Sequence, residues 1–140
     1  MDVLTETVHF YVQRNTSFST ASAIVPFELS RLNEGGAMDL TSGIFTAPVP
    51  GIYHFGFSGV SDSSSNGLGI FLQLNGENIG IAVAGSGVTA FGTLSLTASV
   101  RLKANDRVNL YKDGNNGHVL HEYGNYHYTH FTGWLVEEDL

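Results

Sequence analysis

The sequence predicts an all-β domain built as a sandwich or barrel. Three observations carry this: apolar residues alternate with polar or small ones, turn signals separate the runs at short spacing, and no ten-residue stretch has a helical period with caps. The runs follow in order. Residues 51–60 put Tyr53, Phe55 and Phe57 on one side and His54, Gly56 and Ser58 on the other, because a strand alternates its side chains. Ile70, Leu72 and Leu74 alternate with Phe71 and Gln73, and Ile79, Ile81 and Val83 alternate with Gly80, Ala82 and Ala84. Leu94, Leu96, Ala98, Val100 and Leu102 alternate with Thr93, Ser95, Thr97, Ser99 and Arg101; a helix would scatter that apolar set. Val108 and Leu110 mark a short strand. Asn75-Gly76 predicts a type I′ hairpin turn, since both residues tolerate positive φ. Segments 33–36, 41–43, 61–67, 85–87 and 113–117 are further breaks. Pro48 and Pro50 belong at a strand entry, where a missing donor costs nothing.

The last strand, expected over residues 126–136, is heavy on both faces. Phe131, Gly133 and Leu135 lie on one, and Tyr128, His130, Thr132 and Trp134 on the other. A strand with bulk on both faces is buried on both. One face meets the core of a two-layer sandwich. The other then needs a partner, and a second copy of the chain is the simplest.

Length and composition set the outer limits. At 140 residues the chain is one domain, and we draw it as 1–140 with no repeat or linker. The apolar share of 42% with 14% charged residues excludes a disordered chain. The absence of cysteine excludes disulfides, a thiolate nucleophile and cysteine-based zinc. A net charge of −7 and six scattered basic residues exclude nucleic acid and an anionic membrane as partners. No apolar run reaches the ~20 residues of a membrane helix. The first six residues lack the layout of a signal peptide. The chain then reads as an intracellular protein or as a mature or recombinant piece of a secreted one, and low charge with abundant Gly, Ser and Thr leans towards the second. One glycosylation sequon occurs, Asn15-Thr16-Ser17.

One block is more specific than any of these. Pro26-Phe27, Asn33, Gly35-Gly36, then the unbroken run 41–55 (TSGIFTAPVPGIYHF) closely resembles the signature of the C1q globular domain. Leu74-Asn75-Gly76, Gly92, segment 102–108 and Phe131-Thr132-Gly133-Trp134-Leu135 follow in the family's order, so the resemblance spans about 8–136. It implies an antiparallel, ten-stranded jelly-roll sandwich like that of tumour necrosis factor, a homotrimer, and termini near one end. It also implies that Phe27, Phe45, Tyr53, Phe55 and Phe131 are core residues, and that Gly43 and Gly51 sit where positive φ or close approach is needed. Met38 stands where the family often has an aromatic residue. No Gly-X-Y stalk precedes the head in these residues, so complement activation through collagen-bound proteases is not supported, and the chain looks like the invertebrate members that carry the head alone.

Candidate sites are sparse. No catalytic residue is marked: there is no Gly-x-Ser-x-Gly elbow, phosphate loop or dinucleotide fingerprint, so an enzyme is not expected. His118, His121, His127 and His130 crowd thirteen residues, but their spacing sends strand neighbours to opposite faces. No cofactor is required. Calcium is the candidate metal that the resemblance implies, with Asp62 and Asp113 as ligands beside Asn66, Asn115 and Asn116; ordinary turn residues are the alternative. Loops 61–67, 85–90 and 113–128 are candidates for ligand binding. Tyr111, Tyr123 and Tyr126 could stack on a sugar face, and Asn115, Asn116 and Asn125 could bond its hydroxyls. The expected trimer face is His54, Gly56, Ser58, Ser95, Thr97, Tyr128, His130 and Trp134, and protonation of His54 and His130 there is expected to loosen assembly. The functional expectation is a secreted, lectin-like pattern-recognition module of innate immunity that binds glycans. The alternative is a structural or signalling trimer with a protein partner, and a metal-dependent enzyme ranks last.

Overall fold

A computed structural model describes residues 7–62, 67–85 and 91–140. Asn66, most of the 61–67 loop, residues 86–90 of the 85–90 loop and the first six residues, all read above, lie outside the described residues. The strands are β1 (His9–Gln13), β2 (Ala23–Ile24), β3 (Leu29–Glu34), β4 (Met38–Asp39), β5 (Ile44–Thr46), β6 (Gly51–Ser61), β7 (Leu68–Leu74), β8 (Glu77–Ala84), β9 (Gly92–Leu102), β10 (Arg107–Lys112) and β11 (His130–Glu138). They form two antiparallel sheets in a jelly-roll sandwich. One has five strands in the order β3-β1-β11-β6-β9, and the other six, with β4-β5-β10-β7-β8 in line and β2 paired to β10. Eleven strands are described where ten are implied, and two of them, β2 and β4, are only two residues each.

The local reasons match the chemistry of each segment. Asn75 and Gly76 turn β7 into β8 with φ of 51° and 83°, the two positive values of a type I′ turn. Gly43 has φ 75°, and a Cβ there would run into the Val25 carbonyl. At Gly51, where β6 pairs with both Leu102 and Glu138, a Cβ would collide with the Glu137 carbonyl.

The core lies between the sheets and is aromatic at its centre. Phe10, Phe45, Tyr53, Phe55 and Phe131 are all at most 1% exposed. Neighbouring ring centroids among them stand 5.0–6.4 Å apart in edge, tilted and stacked pairs. The Tyr53 hydroxyl donates to the Val49 carbonyl at 2.7 Å, so the ring is buried without stranding its polar tip.

The two ends of the sandwich differ. Val8, Pro50, Leu102 and Glu138 gather at one end, tied by Leu135 N–H to Val8 and Asp139 N–H to Pro50. The described parts of both chain ends therefore lie there. The opposite end, about 33 Å away over the ten ~3.3 Å steps between the first and last residues of β6, is closed by the 113–129 loop. Leu120 of that loop is fully buried and bridges both Phe18 and Ser61.

Gly133 of β11 gives the packing a direct test. A Cβ there would stand 2.6 Å from Phe10 and 2.7 Å from Phe55, ring carbons with no room to retreat. Gly133→Ala is therefore expected to lose about 1–3 kcal/mol by overpacking. Urea unfolding checks this, and a midpoint equal to that of the parent chain would contradict it.

Candidate functional site

Three registered rows cross the outer face of the five-stranded sheet, the face turned away from the core. His9, Trp134, His54 and Ser99 form the first, Tyr11, Thr132, Gly56 and Thr97 the second, and Gln13, His130, Ser58 and Ser95 the third. Seven of the eight expected trimer-face residues fall on these rows. In the first row the Trp134 ring is flanked by His9 at 5.6 Å and His54 at 4.7 Å, and His54 Nδ1 meets Ser99 Oγ at 3.1 Å. In the third, His130 Nδ1 lies 2.5 Å from the Tyr11 hydroxyl, to which Gln13 donates at 3.1 Å. Arg31 in turn donates to Gln13 at 2.9 Å. His9, Tyr11 and Gln13 escaped sequence reading, because β1 is short and bears buried residues in succession at Val12 and Gln13.

Tyr128 precedes the strand: β11 begins at His130, not at residue 126. The cause is Glu122. Its carboxylate is buried and accepts the N–H of Tyr128 at 3.0 Å and of Thr129 at 2.7 Å, so those donors are spent on a loop. His127 adopts φ 49°, which also breaks the extended chain. Ser17 completes the anchor by accepting the Glu122 N–H at 2.8 Å.

That anchored loop holds an aromatic chain. Phe91 stacks on His121 with centroids at 4.7 Å, and His121 on Tyr128 at 5.7 Å. Tyr126 stands edge-on to Tyr128 at 5.6 Å, and Tyr123 edge-on to Tyr126 at 5.5 Å. Phe91, His121, Tyr123 and Tyr128 line a cleft of about 260 Å³.

The other ligand candidates are dispersed. Tyr111 sits in β10, in register with Phe71 and Ile24, and has no described ring contact with Tyr123 or Tyr126. Asn115 is used locally: its carbonyl accepts Lys112 Nζ at 2.8 Å and its side chain accepts Gly117 N–H. Asn116 and Asn125 are exposed. Lys112 is fully buried, and burial pushes its ammonium below the ordinary lysine value.

The histidines have separate partners: His118 the Gly67 carbonyl at 2.9 Å, His121 the Asp62 carboxylate at 3.7 Å, and His127 the Arg14 carbonyl at 3.1 Å. The calcium candidates also have different settings. Asp62 flanks His121, while Asp113 lines a cleft with Gly67, Gly114 and His118. No three His, Asp or Glu side chains among the described residues gather as metal ligands.

A second surface feature was illegible in the sequence. In β8 the small residues face the core and the large ones face out, leaving Ile79, Ile81 and Val83 exposed at 39, 47 and 62%. Gly80 leaves room for Leu96, which a Cβ would crowd at 3.3 Å.

Two antiparallel sheets in a jelly roll, with aromatic side chains on the loop at one end, set the class of fold. The family model of the C1q domain matches residues 9–136, and the chain belongs to that family. Among solved structures, the globular domain of zebrafish complement 1qA is 20% identical with a TM-score of 0.76, over 94% of this chain and 99% of that one. Eiger TNF from S. frugiperda is 12% identical with a TM-score of 0.74, over 97% and 96%. Murine APRIL is 12% identical with a TM-score of 0.71, over 93% and 99%. At these identities the likeness shows a shared fold. No helix among the described residues is long and apolar enough to cross a membrane.

Burial, offset in part by the Glu122 carboxylate, pushes the His130 imidazole below its ordinary value, and neighbouring His127 adds to the shift. Its unfolded form takes up a proton near pH 6.5, while the folded form resists it. Stability is then full above about pH 6.5 and falls as pH drops through the folded value. Glu28 is shifted the opposite way from the effect of burial alone: hydrogen bonds from Asn15 and Thr16 and the charge of Arg14 hold its carboxylate low, so its contribution is lost only below about pH 4.5. Thermal melts at fixed protein concentration should show a fall from pH 7 to pH 5 that shrinks in His130→Gln. An equal fall in both chains would contradict the assignment.

Proposed function

We propose that this domain is a secreted, non-enzymatic recognition module that assembles as a homotrimer and binds glycans or other microbial surface patterns in innate immunity. One observation carries the recognition reading: Tyr123 and Tyr126 are 64 and 65% exposed on backbone anchored by the buried Glu122. Rings exposed to this degree at the end opposite the chain ends offer aromatic surface on which a sugar can stack. Asn125 lies between them in sequence with an exposed amide for its hydroxyls. Three linked copies would raise a weak affinity by avidity.

Two uncovered surfaces support self-association. The Trp134 face offers one large ring amid Gly56, Ser58, Ser95 and Thr97, and β8 offers the apolar stripe of Ile79, Ile81 and Val83. These are different patches of one chain, so a contact between them is heterologous, and such a contact closes into a ring when its rotation allows. The loop carboxylates Asp62 and Asp113 remain the residues proposed for calcium, tested by a calcium-dependent rise in melting temperature that Asp62→Asn or Asp113→Asn removes.

Trp134→Asp places a charge in the proposed seam and should cost about 2 kcal/mol or more of association. Sedimentation velocity should find a folded monomer, and a folded Trp134→Asp trimer would refute the face. A glycan array probed with the parent chain and Tyr126→Ala tests recognition. Competable binding that Tyr126→Ala loses supports it, and a silent array overturns it in favour of a protein partner.

A further inference from the structure

The cleft at the loop end has the chemistry of a cation cage rather than of a sugar platform. Its walls are the rings of Phe91, His121, Tyr123 and Tyr128, brought from two separate segments of the chain. Tyr126, perpendicular to Tyr128 at 90°, buttresses it from outside. Aromatic faces carry negative quadrupole charge and attract a cation placed over them. Among the described residues, no lysine or arginine lines the cleft. Two carboxylates stand beside the walls: Asp62, 3.7 Å from His121 Nδ1, and Glu122, which accepts the Tyr128 N–H at 3.0 Å. The whole chain adds a net −7. A sugar would need a ring of donors and acceptors for its hydroxyls, and these walls are carbon over nearly all of their surface. A primary ammonium would lose its hydration there with no acceptors in return. A quaternary ammonium carries its charge on methyl groups and needs no hydrogen bonds, and the cleft, at about 260 Å³, is of a size for a small head group.

We infer that this cleft binds a trimethylammonium group of the kind choline carries. The inference rests on the recognition reading for the loop end as the ligand end, and it names a ligand class for that end. It explains why Phe91 and Tyr123 stay 55 and 64% exposed beside one another rather than folding into the core. The cage forms only in the fold: Phe91 comes from the start of β9, and the other rings come from the loop that Glu122 anchors.

The experiment is calorimetric titration of the full chain with choline chloride and with 3,3-dimethylbutanol, which has the same shape without the charge. Choline should bind at least about tenfold more tightly than the neutral isostere, as a desolvated cation–π contact requires. Phe91→Ala and Tyr123→Ala should each weaken choline by about tenfold, and both positions are exposed, so melting curves should stay at the parent value. Choline binding accompanied by capture on phosphatidylcholine vesicles assigns the group to a lipid head, and choline binding without capture assigns it to a free solute. Equal affinity for choline and the isostere, unchanged affinity in both variants, or no heat with choline overturns the inference. Array binding to glycans without choline binding would sink this inference and leave the glycan reading standing, and choline binding with a silent array would do the reverse.

Discussion

Strand β11 has two faces to satisfy, and the rest of the molecule is arranged around that demand. Its inward residues are Phe131 and Gly133, both buried, and Gly133 is empty space that Phe10 and Phe55 fill. Its outward residues, His130, Thr132 and Trp134, sit at the middle of three polar and aromatic rows. The neighbours β1 and β6 supply both the core rings and the flanks of those rows. A sheet that places its heaviest strand at the centre commits both surfaces at once. One is closed by the six-stranded sheet, and the other is the face proposed above for a copy of the chain.

The loop end depends on the same strand. β11 starts where the Glu122 carboxylate stops taking backbone donors, so one buried acid sets both the strand's first residue and the position of the tyrosines before it. Arg14, buried and bonded to the Thr16 and Pro26 carbonyls, holds the neighbouring segment, while Ser17 ties that segment to Glu122. The aromatic loop end, the surface proposed for recognition, is thus an extension of the core's own hydrogen bonding, with Tyr123 and Tyr126 exposed on an anchored backbone.

Sequence reading reached the parts of this that depend on near neighbours. The alternation in β6 and β9 and the Asn75-Gly76 hairpin were legible because period and turn chemistry are local, and the family resemblance picked out Phe27, Phe45, Tyr53, Phe55 and Phe131, all buried, but not Phe10 at the centre of the core. The orientation of β8 was not legible: Ile79, Ile81 and Val83 alternate with Gly80, Ala82 and Ala84, and two apolar sets give no sign of which faces in. Packing decided it, since Leu96 opposite leaves no room for a large side chain at Gly80. The aromatic chain was half legible. Tyr123 and Tyr126 stood out, but Phe91 and His121 join them only through tertiary contact. Buried Lys112 and Glu122 were invisible, as charged residues in polar stretches read as solvated until their partners are seen.

Trp134 is the chain's one tryptophan and, at 36% exposure in a single chain, a native reporter of the outer face. Acrylamide quenching of its fluorescence across a dilution series measures whether that face is covered. If the face is covered, the indole is shielded and blue-shifted at high protein concentration and becomes quenchable and red-shifted as the assembly dissociates. An indole equally quenchable at every concentration, in a chain that sediments as a trimer, would contradict it.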